Sequence, residues 1–305
     1  EQSQFSLLRE RRFLPFFCTQ FLGAFNDNVY KNALIIMLAF HAADMTTLAS
    51  GTLVNLCAGL FILPFFLFSA TAGQIADKYE KATIIRYVKL FEIAIMLTGA
   101  VGFFQGNLLM LISALFLMGL HSTIFGPVKY SILPQHLQAD EIVGGNGMVE
   151  MGTFLAILAG TILGGLLVAQ EQFALLVSAT VIGIACLGYL ASRAIPSAPP
   201  AAPDLKINWN PLTETWANFK FTKQNRTVFL SVLGISWFWF YGAMFLSQFP
   251  NYAKNILGGS EHVVTLLLCV FSIGIGLGSL LCEKLSGHKI EIGLVPFGSI
   301  GMTLF

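Results

Sequence analysis

Polar side chains interrupt an apolar run close to the start of the chain. In QFLGAFNDNVYKNALIIML, Gln20 to Leu38, the residues Asn26, Asp27, Asn28, Lys31 and Asn32 stand among phenylalanines, leucines and isoleucines. Asp27 precedes Lys31 by one helical turn, the favourable order for an intrahelical ion pair. Gln20 shares their face by heptad spacing. A charge near mid-bilayer costs about 2.5–3.5 kcal/mol on insertion scales, so this face must look into protein or a wet cavity. Two readings follow. Asp27 and Lys31 neutralise each other and fix helix packing, or they offer opposite charges to a polar cargo.

Three further groups of residues could do chemistry. Arg86, Lys89 and Glu92 are spaced three apart on one face. Arg86 can reach the headgroups by snorkelling, but Glu92 has too short a stem and needs a partner, for which Lys89 is the local candidate. Asn146 and Glu150 lie four apart, and Lys129 is near enough in depth to pair with Glu150. That couple would brace two helices or close an inner gate. Later in the chain, Tyr241 and Gln248 are the polar groups of an otherwise apolar run.

These groups require transmembrane helices to position them. The 305 residues are 55% hydrophobic and only 11% charged, where a soluble domain carries roughly 25% charge. Continuous apolar runs fall at about 13–40, 48–76, 83–104, 107–127, 144–168, 172–191, 227–250 and 261–283, each near the ~20 residues that cross a bilayer as helix. A ninth begins near Ile292 and is cut short at Phe305, as expected of a fragment. Backbone groups in lipid must be satisfied within a segment, and runs without alternation fit helices rather than a barrel. The fold class is therefore an all-α membrane bundle. Its expected parts are a six-helix unit over residues 1–191, a linker with an amphipathic segment over 192–226, and the start of a second unit over 227–305.

Basic residues assign the sides. Arg9, Arg11, Arg12, Lys78, Lys81, Lys129, Arg193, Lys206, Lys220, Lys223, Arg226, Lys284 and Lys289 all fall on one side, while the opposite loops hold Lys254. The positive-inside bias places the amino terminus in the cytoplasm. RAIPSAPPAAPDLK reads as an extended linker, and NPLTETWANFKFTKQNR as a short amphipathic helix at the membrane face. The five cysteines are scattered singly, without disulfide or metal spacing. The five histidines are likewise dispersed, no nucleophile elbow or phosphate loop occurs, and neither a cofactor nor catalysis is expected. The net charge of +1 gives no basis for a nucleic-acid partner.

GQIADKYEKAT, Gly73 to Thr83, resembles the signature loop of the major facilitator superfamily, with Gly73, Asp77, Lys78 and Lys81 in place. Glu80 stands where a glycine is usual and Ala82 where a second basic residue is usual. FNDNVYKNAL, FGPVKYSILPQHL and GGNGMVEMGTFLAILAGTILGG resemble the bacterial lysophospholipid transporter branch of that superfamily. The resemblance implies a twelve-span bundle, of which about eight are complete here. It also implies an inner-membrane carrier that moves lysophospholipid from the outer to the inner leaflet, where a fused or associated acyltransferase reacylates it. No basic residue stands inside span seven, where better-known members carry an arginine.

On this reading Gln20, Asp27, Asn28, Lys31, Glu92, Tyr241 and Gln248 belong to the translocation path. Gly73, Asp77, Lys78, Lys81, Lys89, Lys129, Asn146 and Glu150 belong to a structural or gating network. Gly73 would let helices approach, and Asp77 would cap or pair at a helix end. The alternatives are a proton-coupled exporter using Asp27 or Glu92, and the membrane domain of a lipid-modifying enzyme.

Overall fold

A computed structural model describes residues 4–41, 46–259, 261–287, 289 and 291–304. A short 3-10 helix, Gln4–Arg9, leads into α1 (Leu14–His41), α2 (Ser50–Lys78), α3 (Lys81–Gln105) and α4 (Leu108–Ser131). The single turn α5 (Leu133–His136) precedes α6 (Ile142–Val168) and α7 (Phe173–Arg193). After a connecting segment come α8 (Pro211–Gln224), α9 (Arg226–Asn255), α10 (Glu261–Ser286) and the short α11 (Leu294–Leu304).

Local chemistry sets several boundaries. Glu80, Asn107, Asn210 and Asn225 each accept backbone N–H bonds at a helix start, satisfying donors the helix leaves open. Gly106, at φ 61, ends α3 in the left-handed conformation that glycine tolerates. Among the described residues seven helices are long and apolar enough to cross a membrane. α1 is not one of them by composition, because the Asn26–Asn32 cluster dilutes its hydropathy. At 28 residues it is nevertheless long enough. It is well enclosed, with Val29, Tyr30, Ala33 and Leu34 fully buried.

α1 packs against α6 and α7, α2 against α4, and α3 against α4 and α7. The α1–α6 seam is close because of glycine. A Cβ on Gly160 would lie 2.6 Å from the Phe25 carbonyl oxygen, and one on Gly164 would lie 2.7 Å from that of Val29. Apolar packing divides into two layers. One contains Tyr30, Leu34, Met96, Leu115 and Val181, and the other, at the end bearing the amino terminus, contains Phe13, Phe16, Ile85, Val128 and Met148. A polar layer lies between them.

α10 joins the first six spans through α6. Gly147 packs so close to the Ser279 carbonyl that a Cβ there would meet its oxygen at 2.5 Å, and Gln4 donates to the Leu280 carbonyl at 3.0 Å. Both contacts lie at the end of the bundle that carries most of the lysines and arginines, called the basic face below.

The connecting segment after α7 lies extended along that face, held by hydrogen bonds. The Ala198 amide donates to Glu80 at 2.7 Å, and the Lys81 amide donates to the Ala198 carbonyl at 3.0 Å. The Ala202 amide donates to the Asp77 carbonyl, and Asn208 exchanges two bonds with the Gln74 side chain. Arg86 donates to the Ile195 carbonyl at 3.2 Å. Its expected reach to headgroups is thus replaced by a bond to the chain itself.

Candidate functional site

The polar layer is a ring built on α1, α3 and α4. Asn26 donates to one oxygen of Glu92 at 2.7 Å. The other oxygen of Glu92 pairs with the Lys89 ammonium and lies 3.2 Å from Nε2 of His121. Ser122, next to His121, donates to Oδ2 of Asp27 at 2.6 Å, and Asp27 follows Asn26 on α1. Asn26, Glu92, Lys89 and His121 are all 3% exposed or less, so these groups are sealed from lipid and water alike. An ion pair withdrawn this far from water survives only if its remaining polar valences are satisfied. Asn26 serves that need with its hydrogen bond, and the His121 ring lies beside the same carboxylate.

Lys89 reaches Glu92 through a gap made by two glycines. A Cβ on Gly23 of α1 would sit 3.0 Å from the lysine Nζ, and one on Gly188 of α7 would meet Cε at 2.9 Å and Nζ at 3.0 Å. The three-residue spacing of Lys89 and Glu92 is visible in the sequence, whereas the part played by either glycine is not. In the sequence His121 is one of five dispersed histidines, with no spacing that links it to Glu92.

Asp27 and Lys31 do not form the anticipated i,i+4 ion pair. Asp27 turns toward Ser122, while the Lys31 ammonium stands 5.1 Å from the centre of the Phe61 ring on α2. Lys31 is half-buried and Asp27 is 9% exposed, at the edge of the sealed ring. Oδ1 of Asp27 is buried without a hydrogen-bond partner. A buried acceptor left open costs about 1–3 kcal/mol. Here it lies one turn from a cation whose described side-chain contact is the Phe61 ring face.

About two turns toward the basic face, ~10 Å by helical rise, a second group spans α1, α4 and α6. Lys129 donates to Thr153 at 2.9 Å and lies 3.7 Å from Glu150. Thr153 donates to Gln20 at 3.0 Å, and Tyr130 donates to Glu150 at 2.5 Å. Gln20, read as a neighbour of Asp27 and Lys31, is instead tied to α6 in this lower group.

Other expected residues fall elsewhere. Asn28 donates to the Ala24 carbonyl within its own helix and packs in the α1–α6 seam. Asn146 donates to the Ile142 carbonyl in the same way. Glu92 belongs to the sealed ring rather than to an open path. Tyr241 is half-buried and packs on Phe245 at 4.5 Å, with no described contact to the α1 groups. The side chain of Gln248 lies outside the described residues.

A sequence profile of the Major Facilitator Superfamily matches residues 16–305. The chain belongs to that superfamily. It is 27% identical over 281 residues to the lysophospholipid transporter LplT of Serratia proteamaculans, covering 90% of this chain and 66% of that protein. Against LplT of an Enterobacter species it is 28% identical over 298 residues, covering 94% and 70%. Against LplT of Pectobacterium carotovorum it is 27% identical, covering 87% and 62%. The chain thus spans about two-thirds of the length of these relatives.

In this major facilitator chain the signature loop between α2 and α3 departs from expectation. A Cβ on Gly73 would meet nothing within 4 Å, so close approach is not its reason. Glu80 rather than Asp77 caps α3, and Asp77 is exposed. Lys78 lies 5.8 Å from the Tyr79 ring centre. Lys81 is buried, and its ammonium donates to the Pro199 carbonyl at 3.4 Å. Burial pushes the Glu80 carboxyl up, but amide donors from Ala198, Thr83 and Ala82 outweigh it and hold the group below its ordinary value. Near the amino terminus, Arg12 makes two bonds of 2.6 Å to Glu141. The Arg12 hydrogen bond likewise holds the Glu141 carboxyl down.

Proposed function

We propose that the protein carries lysophospholipid, of the lysophosphatidylethanolamine type, between the leaflets of a bacterial inner membrane. The observation that carries this reading is the state of Asp27 and Lys31. They are opposite charges one turn apart that form no ion pair with each other: Asp27 accepts from Ser122 of α4, Lys31 faces the Phe61 ring of α2, and the second oxygen of Asp27 has no described hydrogen-bond partner. A zwitterionic headgroup presents the matching pair, an ammonium for Asp27 and a phosphate for Lys31. Charge-assisted bonds of this kind are the strong ones. The LplT names of the relatives support the same substrate class.

The basic face is the cytoplasmic one in this reading, by the positive-inside bias. The Lys129–Glu150–Tyr130 group, with Gly147 against Ser279, then closes the inner end of the path. The lipid delivered there is the acceptor an acyltransferase requires. The connecting segment divides a six-helix unit from the beginning of a second.

Uptake of fluorescent lysophosphatidylethanolamine into proteoliposomes tests the assignment. Protein-dependent movement of the lysolipid to the opposite leaflet is expected. Movement of small organic cations coupled to protons, with none of the lysolipid, would contradict it and favour an exporter that uses Asp27 alone.

A further inference from the structure

α8 presents an aromatic and basic face for which the described chain supplies little cover. Leu212, Trp216 and Phe219 recur at helical spacing, and Leu212 and Trp216 are 69% and 58% exposed. Trp216 stacks on Phe219 at 5.5 Å, and Phe219 meets Phe229 of α9 edge-on at 6.0 Å. Lys220 lies 5.7 Å from the Trp216 ring centre, and Lys223 lies 4.6 Å from that of Phe219 and 5.8 Å from that of Phe229. The single carboxylate of the helix, Glu214, falls on the opposite side, which also carries Phe221, and accepts from Asn208 at 3.3 Å.

Geometry places this face beside the start of a membrane-spanning helix. Only Asn225 separates α8 from α9, whose membrane-spanning stretch begins at Arg226. Residues 219 and 229 would be about 15 Å apart along one continuous helix. Their ring contact therefore requires a sharp bend at Asn225, which takes α8 off the axis of α9. The Gln74–Asn208 exchange ties its approach to the basic end of α2. A helix lying in the interface with aromatic side chains beside cations has the composition of a surface for anionic lipid.

We infer that α8, with Lys220, Lys223 and Arg226, is a docking surface for anionic phospholipid headgroups in the leaflet on the basic face. The rings enter the headgroup layer and the cations pair with its phosphates. Further helices of the same protein are the competing cover. Three cations on or next to the exposed rings favour the lipid, since a protein interface core is depleted of lysine.

The test uses the full-length protein in nanodiscs of phosphatidylcholine, alone or mixed with phosphatidylglycerol. With Trp237, Trp239 and any tryptophan beyond Phe305 changed to phenylalanine, Trp209 and Trp216 are the emitting tryptophans. Quenching by lipids brominated near the headgroup is expected to rise about twofold or more when phosphatidylglycerol is present. Lys220→Gln with Lys223→Gln is expected to remove that rise, each cation being worth roughly a fivefold change in surface affinity. An unchanged melting temperature shows that the variant is folded. Quenching by acrylamide alone would place the face in water. Protection from both quenchers would mean protein covers it, and bromolipid quenching indifferent to phosphatidylglycerol would mean no anionic recognition. Each of those three results overturns the inference.

Discussion

Asp27 and Glu92 are both acidic, both near mid-depth and about equally visible in the sequence, yet their surroundings give them different work. Glu92 is spent on Lys89, Asn26 and His121. Removing one member of such a pair leaves an uncompensated buried charge, worth about 3–5 kcal/mol. Glu92→Gln is therefore expected to lower thermal stability sharply, and Lys89→Met in the same chain is expected to restore much of it. Denaturation of the single and double variants in detergent measures the coupling directly. Gly188→Ala tests the passage through which Lys89 reaches its partner. The added methyl lies within 3.0 Å of the ammonium, so the variant should destabilise the protein, and far less so in the Lys89→Met background. Spacing exposed the charges of this cluster. It could not expose the glycines on α1 and α7, nor turn Asp27 away from Lys31, because those choices depend on which helices meet.

At the scale of elements, the helices were legible because hydrophobic length alone demands them, whereas the segment after α7 was not. RAIPSAPPAAPDLK has the composition of a free linker, but Glu80, Gln74 and the Asp77 carbonyl hold it to α2 and α3 over more than a hundred residues of sequence separation. Glu80 does two jobs there, as helix cap and as acceptor for Ala198. Glu80→Ala is expected to cost about 1 kcal/mol as a lost cap and to speed amide hydrogen exchange at Ala198 and Ala202. The pH dependence has a definite sign. The carboxyl is held below its ordinary value, so its contribution is complete above the unfolded value of about 4.3 and fades as pH falls through the lower folded value. Arg12–Glu141 shares that sign. Exchange at Ala198 should therefore rise on acidification in the wild type and be insensitive to pH in Glu80→Ala, after correction for intrinsic exchange.

At the scale of the whole molecule, the described contacts of α10 with the first six spans gather toward the basic face, where Gly147 meets Ser279 and Met151 lies beside Gly276. If this seam must open for cargo to leave, a covalent link across it should stop transport. With the native cysteines replaced, Met151→Cys and Gly276→Cys are expected to cross-link under mild oxidation, to abolish lysolipid movement, and to allow it again on reduction. Transport that persists with the link in place would show that the seam does not part. The two-layer apolar packing with a polar layer between was partly legible, since Asn26–Asn32 announced polar groups at depth. Its division into a ring closed on Glu92 and a separate Asp27–Lys31 pair was not, because it depends on Ser122 of α4 and Phe61 of α2 meeting those side chains.

Oδ1 of Asp27 is the acceptor assigned to the headgroup ammonium. The most direct measurement compares wild type with Asp27→Asn in proteoliposomes for two lysolipids, one with an ethanolamine ammonium and one with an uncharged glycerol headgroup. A hydrogen bond to a charged group contributes about 1.5–3 kcal/mol, so uptake of the ethanolamine lipid should fall about tenfold or more, with a much smaller change for the glycerol lipid. Equal losses for both, or none for either, would contradict the assignment of Asp27 to the headgroup ammonium.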